Sequence, residues 1–375
     1  MTTATGDTLR SSQQEEQHKS VSVRAVQWRI FRQNRLAILG LVVLGLFFLL
    51  LAFGDFIAPY RPAMLTPNPL APPHRLHFRD ADGAFHWRPF YYAYDKVRDM
   101  KTFKTTYVED TTKKMPLRLF IRGDSYRMWG LFETDLHLFG VNSDHRVHII
   151  GSDELGRDLF SRLVWATRIS LTIGLLGVVI SLVLGALLGV ISGYYGGVVD
   201  VIMQRLIELL MSFPQIPLWM AFAAIIPVRT DPLLVYFLIT IILSFINWTG
   251  LARQIRGMTL SLKERDYALA AQAMGASDLR IMVRHILPNT IGHMIVISTL
   301  AVPGMILAET ALSFLGLGIR EPMLSWGTLL KQAQSLHMMA QAPWVLIPAL
   351  AVVASVLAFN FVGDGLRDSL DPYER

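Results

Sequence analysis

The residue whose position most suggests chemistry is an acid within an apolar stretch, Glu309 in "ILAETALSFLG". An ionised carboxylate at membrane depth has to face a cavity or find a partner. Two interpretations therefore stand: Glu309 belongs to a translocation pathway, or it makes a structural contact with a neighbouring helix. A second acid, Glu208, follows Arg205 by three residues, which predicts an ion pair on one helix face.

Six histidines fall within residues 74–148 and raise the question of a metal site. They are His74, His77, His86, His137, His145 and His148. Their spacing matches no standard ligand set, and the chain has no cysteine to complete one. We therefore expect structural or surface histidines and no metal ligand.

Nucleotide-binding and catalytic motifs are missing from the sequence. A P-loop requires G-x-x-x-x-G-K-[ST], and the chain contains no Gly-Lys pair. No Ser/His/Asp set and no pair of carboxylates emerges either. We expect no catalytic residue and no cofactor in this chain.

Composition places the chain in a membrane. Hydrophobic residues make up 52% of it and charged residues 17%, whereas a soluble domain carries about a quarter charged residues. A helix needs roughly 20 apolar residues to cross the hydrocarbon. Six segments reach that length, at about 36–57, 168–192, 203–227, 232–252, 289–316 and 343–363. The third contains Glu208, Pro214 and Pro217, so we expect it to pack within the bundle rather than against lipid.

Basic residues set the orientation. They concentrate before the first span and in the loop after the fourth, which predicts a cytoplasmic location for both regions and for the C-terminus. The expected divisions are a tail at 1–35 (disordered to about residue 20), a first transmembrane helix at 36–57, an extracytoplasmic insert at 58–150, a pre-membrane segment at 151–167, a main transmembrane domain at 168–364 and a tail at 365–375. The insert begins rich in proline and continues rich in aromatic residues, which predicts a compact unit with short strands.

The loop after the fourth span reads as a helical hairpin. Ser261 and Glu264 have the spacing of a capping box, which predicts a helix beginning at Leu262. Its apolar face is predicted at positions i, i+3, i+4 and i+7, namely Tyr267, Ala270, Ala271 and Met274. Gly275 is expected to take the left-handed conformation that ends a helix.

The second half of the hairpin repeats the pattern. Ser277 is expected to cap a second helix, with Asp278 at its positive end and Pro288 closing it before the fifth span. The apolar positions are Leu279, Met282, Val283 and Ile286. Helices this short are not stable alone in water. Periodicity leaves open whether the bundle, the lipid surface or a partner protein covers them.

The hairpin resembles the EAA motif of ABC-transporter permeases, the cytoplasmic loop that docks into the ATP-binding subunit. The matching positions are Ala270, Ala271, Gly275, Leu287 and Pro288. Leu269 stands where the motif has glutamate, His285 stands where it has isoleucine, and Asp266 offers an acid one turn before Leu269.

The region from about residue 150 onward is similar to the C-type subunit of dipeptide and oligopeptide (peptide/nickel) importers. The phrases that carry the resemblance are "GSDELGRDLFSRLVWATRISL", "GYYGGVVDVIMQR", "AMGASDLRIMVRHILPN", "AETALSFLGLG", "SWGTLL" and "AFNFVGDGLRDSLDP". The N-terminal "RIFRQNRLAILGLVVL" also resembles that subfamily.

The resemblance implies an all-α membrane protein of six helices with the type I ABC importer permease fold. It implies an inner-membrane peptide permease that pairs with a homologous permease, two ATP-binding subunits that hold ATP and magnesium, and an extracytoplasmic binding protein, with no nucleic acid. The residues implied in coupling are Asp266, Tyr267, Ala270, Ala271, Met274, Gly275, Ser277, Asp278, Leu287 and Pro288. The aromatic insert is a candidate docking surface for the binding protein.

Other functions remain open at this point. Similar subunits carry nickel, glutathione-like compounds or oligosaccharides. An ion-driven secondary transporter would need acidic or histidine relays within the membrane, for which Glu309 is the one candidate. A sensory or scaffold membrane protein would transport nothing.

Overall fold

The structure is a computed structural model that describes residues 23–98, 100, 105–141 and 145–370. In these ranges five helices are long and apolar enough to cross a membrane, and there are six such spans if a sharply bent pair of helices crosses as one. The expected helical membrane fold is confirmed. The tail predicted to be disordered, residues 1 to about 20, lies outside the described residues, as do residues 371–375 of the C-terminal tail.

The helices are numbered in chain order. They are α1 (Val23–Gln33), α2 (Arg35–Ile57), α3 (Leu159–Tyr195), α4 (Gly197–Met211), α5 (Gln215–Ala224), α6 (Pro232–Leu262), α7 (Asp266–Ala273), α8 (Asp278–Ile281), α9 (Leu287–Phe314), α10 (Trp326–Leu330), α11 (Leu336–Gln341) and α12 (Ile347–Leu370). α3 begins before its apolar run and α6 at the start of its run, where Asp158 and Asp231 accept hydrogen bonds from the first free backbone N–H groups.

Small residues bring α3 and α6 into close contact. Gly185, Gly189 and Gly193 recur every four residues on α3. A Cβ built on Gly189 would lie 2.6 Å from the Ala252 carbonyl oxygen, and one on Gly193 would lie 2.7 Å from the Cβ of Thr259. Only glycine allows the two backbones to approach this closely, as is common between helices in lipid.

The two ends of the bundle are defined by different contacts. At one end, Arg168 of α3 forms an ion pair with Asp55 of α2 at 2.9 Å. At the other, the Lys263 ammonium donates to the Gly193 carbonyl oxygen at 3.0 Å, which joins the ends of α6 and α3. We call these the sheet end and the hairpin end, after the structures attached to them.

The third span is a bent pair of helices. α4 and α5 are bent by 84° at the break around Pro214, and Leu209 (58% exposed) and Ile216 (51% exposed), on either side of the break, lie on the surface of the chain. Within the chain itself this segment is largely exposed, and its packing within a bundle stays a prediction. Pro214 has no backbone N–H to continue α4, so a new helix begins after it. The predicted ion pair between Arg205 and Glu208 is confirmed at 2.8 Å.

The insert folds as one antiparallel sheet. Its strands are β1 (His77–Arg79), β2 (Phe85–Arg98), β3 (Thr105–Met128) and β4 (Phe132–Val141), in that spatial order. The expectation of short strands is wrong because β3 has 24 residues, pairing first with β2 and then with β4. A small buried cluster supports the sheet, formed by Tyr91, Ala93, Met115 and Val147.

Candidate functional site: the helical hairpin

The hairpin turns at Gly275. This residue has φ of +80°, the left-handed conformation that its glycine predicts. The Gly275 N–H donates to the Gln272 carbonyl at 2.9 Å, and the Ala276 N–H donates to the Ala271 carbonyl at 3.0 Å. These two bonds form a Schellman motif, which satisfies carbonyls at the end of α7 and reverses the chain.

The first helix of the hairpin begins later than predicted. α6 continues to Leu262, Ser261 lies inside it, and α7 starts at Asp266 with Arg265 as its N-cap. The predicted capping box of Ser261 and Glu264 is therefore wrong. Lys263 holds the last turn of α6 against the end of α3, and that tertiary contact extends the helix past its apolar run.

The second helix does not end at Pro288. α8 passes through a π-helical turn, Met282–Ile286, directly into α9, and Pro288 lies in the first turn of α9. The Leu287 N–H donates to the Met282 carbonyl five residues back. This wider turn makes room for a proline that would clash in a regular helix. Ser277 occupies the N-cap position of α8, but its side chain makes no capping bond.

The buried face of the hairpin differs from the predicted one. Ala268, Ala271, Ile281 and Ile286 form its core. Of the predicted face of α7, only Ala271 is buried, and the other members, Tyr267, Ala270 and Met274, are exposed. An alanine-rich helix is apolar on more than one side, so the period alone could not identify the inner side.

The other residues that the resemblance implies in coupling also differ in how far they are exposed. Leu287 is half-buried, and Asp266, Ser277 and Pro288 are exposed. Asp278 accepts a hydrogen bond from the Tyr194 hydroxyl at 2.9 Å, which joins the hairpin to the end of α3. On the outer surface Met274 is 81% exposed and Leu279 67% exposed. The hairpin is thus a knob with an attached inner face and an apolar outer face.

Glu309 lies far from the hairpin and is fully buried. Its carboxylate accepts hydrogen bonds from the Ser313 hydroxyl at 2.6 Å and the Ser170 hydroxyl at 3.1 Å. The Ser170 oxygen in turn accepts from the backbone N–H of Trp326 at 3.0 Å. These contacts join α3, α9 and the start of α10, which favours the structural interpretation. Its place in a translocation pathway stays a prediction.

Comparison with known proteins agrees with this architecture. Residues 185–375 match the family described as "Binding-protein-dependent transport system inner membrane component". The chain belongs to this family. Residues 23–73 of the permease match a second family, described as the N-terminal TM domain of oligopeptide transport permease C. All four strands of the sheet lie between the two matched stretches.

Individual relatives support the same assignment. The oligopeptide transport system permease protein OppC of Haemophilus influenzae is 45% identical over 229 residues, which cover 61% of this chain and 71% of the relative. OppC of Escherichia coli K12 is 44% identical over 61% of this chain and 73% of the relative. The glutathione transport system permease protein GsiD of Pectobacterium atrosepticum is 43% identical over 60% and 72%. The resemblance to ABC-transporter permeases of the oligopeptide type is confirmed.

The permease also contains an ion cluster that sequence reasoning missed. Arg157 bonds Asp153 at 2.7 Å and Glu321 at 2.9 Å, and Arg162 bonds Glu321 at 2.6 Å. Asp153, Arg157 and Arg162 are buried. The cluster joins the segment before α3 to the loop before α10 at the sheet end. The sequence signal that could have indicated this cluster was three charged residues, at intervals of four and five positions, directly before an apolar run.

The histidines of the permease have structural partners or surface positions. His74, His137 and His148 are buried, and His148 contacts Asp158 at 3.2 Å. His77 and His86 pair with Glu109 and Asp80 on the sheet, at 3.2 Å and 2.9 Å. Among the described residues no group of three metal-ligating side chains is assembled.

Burial shifts one of these histidines strongly. The pKa of His74 is lowered to about 3, first because burial disfavours the charged imidazolium and second because a charge on His148 would repel it. The His74 Nδ1 atom accepts the backbone N–H of His148 at 3.0 Å, a role that requires this nitrogen to be unprotonated.

Proposed function

We propose that this chain is the permease subunit of an ATP-driven peptide importer, coupled to separate ATP-binding subunits through the hairpin 262–288. The observation that carries the proposal is the apolar outer face of that hairpin, where Met274 is 81% exposed. Relatives named as oligopeptide and dipeptide permeases support a peptide substrate. The relative named as a glutathione permease supports glutathione, itself a small peptide, as the alternative.

The contacts of the hairpin would transmit a movement of a bound partner to the helix bundle. Its inner face is bound to the bundle through Asp278 and Tyr194, and α8 continues into α9 without a break in the helix. A displacement of the knob would therefore pass to α3 and α9 together. We propose that closure of the ATP-binding subunits moves the knob and shifts the bundle between two states.

The predicted coupling residues take two roles in this proposal. Met274, Tyr267 and Ala270 are exposed and would touch the ATP-binding subunit, with Asp266 contributing a charge at the edge. The others would preserve the shape of the knob. They are Ala271, Gly275, Ser277, Asp278, Leu287 and Pro288. ATP and magnesium would bind the partner, since no P-loop occurs in this sequence.

The distribution of arginine supports a cytoplasmic hairpin end. Arg265, Arg280 and Arg284 are exposed on the hairpin, and Arg32 in the last turn of α1 and Arg35 at the start of α2 lie on the same end. Short loops rich in arginine and lysine remain in the cytoplasm. We therefore propose that both termini are cytoplasmic and that the sheet lies outside.

The bent third span supports pairing with a second permease. Ser212, Phe213 and Pro214 form irregular backbone between α4 and α5, and all three are exposed in this chain. Irregular backbone at membrane depth is tolerated only where protein covers it or water reaches it. We propose that a homologous permease covers this break and that the pathway runs between the two subunits.

The extracytoplasmic sheet is the proposed contact for a substrate-binding protein. Trp87 on β2 is 90% exposed, which is unusual for an indole unless a partner covers it. Deletion of residues 70–140 should lower uptake and weaken binding of that protein. Full uptake and unchanged affinity after the deletion would exclude this role for the sheet.

Coupling is tested by Met274→Asp in the complete transporter. A charge in the contact should reduce co-purification of the ATP-binding subunits and abolish ATP-dependent uptake of a labelled oligopeptide in proteoliposomes. Met100→Asp is the control for assembly with the ATP-binding subunits, because Met100, in the connection between β2 and β3, is 80% exposed and far from the hairpin in the chain.

The outcomes of this experiment distinguish a wrong docking site from a wrong substrate. Normal assembly and uptake with Met274→Asp would refute the hairpin as the docking site. Failure of the unmodified transporter to move any oligopeptide, together with ATP-dependent uptake of glutathione, would favour the alternative substrate.

A further inference from the structure

The tip of the β3–β4 hairpin is the part of the sheet nearest to the membrane helix α2. Three contacts follow one another along both elements. Arg61 donates to the Ser125 carbonyl at 2.6 Å, His137 bonds the Ala58 carbonyl at 2.7 Å, and the Trp129 indole N–H donates to the Ala52 carbonyl at 2.7 Å. From Ser125 to Trp129 the hairpin thus descends alongside α2, from beyond its end into its apolar run.

The depth of the tip follows from helix geometry. Ala52 precedes Ile57, the end of α2, by five residues, which places it about 8 Å below that end at 1.5 Å per residue. Structures that rest in the membrane interface bury their apolar face about 5–10 Å into the headgroup and acyl boundary. The Trp129 ring also packs on Phe53 of α2, with 5.8 Å between ring centroids.

The side chains of the tip are apolar and uncovered. Leu131 is 76% exposed, Phe132 62% and Trp129 53%. On the same hairpin Phe120 is 62% exposed and packs beside Phe56 of α2. This surface is continuous with the lipid-facing side of α2, whose own apolar residues are largely exposed in the chain.

The backbone of the tip is unusual in a way that serves this contact. Trp129 has φ of +51°, a left-handed conformation that a bulky side chain rarely adopts. The conformation directs the indole to α2, where its N–H finds the Ala52 carbonyl beside the irregular residue Phe53. Tryptophan is enriched at membrane interfaces because its ring is apolar and its N–H is polar.

We propose that the β3–β4 tip, Trp129–Phe132, inserts into the outer acyl–headgroup boundary of the bilayer and anchors the sheet to the membrane beside α2. Its occupant is lipid rather than a protein, because the exposed side chains form one apolar surface with a membrane helix at interfacial depth. The anchor would hold the sheet at a constant height while the bundle changes state.

The absence of cysteine from the sequence makes a labelling test direct. Leu131→Cys is labelled with an environment-sensitive fluorophore in the full-length chain, which is reconstituted in liposomes with or without lipids that carry a nitroxide near the headgroup. Asp82→Cys is the control, since this exposed position lies in the polar β1–β2 turn. Phe132→Cys gives an independent label in the tip if Leu131→Cys does not assemble.

The expected result is severalfold stronger quenching by nitroxide lipid and severalfold weaker quenching by iodide at Leu131 than at Asp82. Iodide quenching at Leu131 equal to that at Asp82 would overturn the proposal. Shielding of Leu131 from both quenchers would also overturn it, because it would show that protein rather than lipid covers the tip.

Discussion

The sheet end and the hairpin end of this permease are built by different interactions. At the sheet end, the buried Asp153 carboxylate forms ion pairs with the buried Arg157 and Arg162. At the hairpin end, a small core of alanine and isoleucine holds the knob, and Met274 and Leu279 remain exposed. The buried charges at one end find their partners within the chain, whereas the apolar surface of the knob at the other end is uncovered in the chain.

The difference indicates which end of the molecule is rigid and which end offers a binding surface to a partner protein. Buried charges require exact partners, so a cluster of them tolerates little rearrangement. Exposed apolar side chains on a small helix form a surface that a second protein can bind. We infer that the sheet end serves as the fixed frame and the hairpin end as the moving contact.

The largest expected effect tests the frame. Arg157→Met leaves the buried Asp153 carboxylate with Arg162 at 3.6 Å as its nearest cation, so we expect a loss of about 3–5 kcal/mol in unfolding free energy. Thermal unfolding of the permease in nanodiscs measures it. Arg118→Met, at an exposed arginine of β3, is the control and should change little. Equal melting temperatures for the two variants would contradict a charge-held frame.

Acid should weaken the sheet end next. His74 has a pKa of about 3 when folded and about 6.5 when unfolded, so the unfolded chain binds more protons between these values. Stability that is present above pH 6.5 is lost as the pH falls, by about 2 kcal/mol at pH 5. His74→Asn keeps an acceptor for the His148 N–H and should reduce this acid sensitivity. If His74→Asn showed the same difference in melting temperature between pH 7.5 and pH 5 as the unmodified permease, His74 would not be the source of the acid sensitivity.

The shape of the hairpin is tested at Gly275. Nothing lies within 4 Å of a Cβ built there, so Gly275→Val adds backbone strain without a clash. The left-handed conformation should cost about 1–2 kcal/mol, enough to shift the turn several-fold toward other shapes. We expect ATP hydrolysis to become uncoupled from uptake, measured as peptide moved per ATP. Gly275→Ala should have a smaller effect, and normal coupling in both variants at normal expression would refute this geometry.

The smallest expected effect concerns the link between the hairpin and α3. Tyr194→Phe removes one exposed hydrogen bond to Asp278 and should cost about 0.5–1 kcal/mol. Its effect should appear in coupling efficiency before it appears in the melting temperature. A change in melting temperature as large as that of Arg157→Met would show that the two ends do not differ as described.

Much of this organisation could be predicted from sequence because it depends on local or solvent-driven rules. Apolar runs located the membrane helices, and a glycine between two helical patterns located the turn at Gly275. The boundaries of α6 and α7 could not be predicted, because Lys263 extends α6 through a contact with a residue 70 positions away. The inner face of α7 was ambiguous because alanine satisfies the pattern on several sides.

The sheet shows the same limit. Alternation and aromatic content indicated strands, but one strand of 24 residues with two successive partners requires knowledge of which segments meet. The cluster of Asp153, Arg157, Arg162 and Glu321 spans up to 168 positions, and no local pattern reports such a pairing.

By itself, the sequence indicated a membrane protein, the apolar runs long enough to cross a membrane and the loop that resembles a coupling element. Hydropathy and turn preferences depend on a few neighbouring residues and can therefore be recognised in the sequence. Only the tertiary structure decided which face of the hairpin is free, which charges neutralise one another and where the sheet meets α2. These outcomes depend on distances between remote residues, and those distances are set by packing of the whole chain.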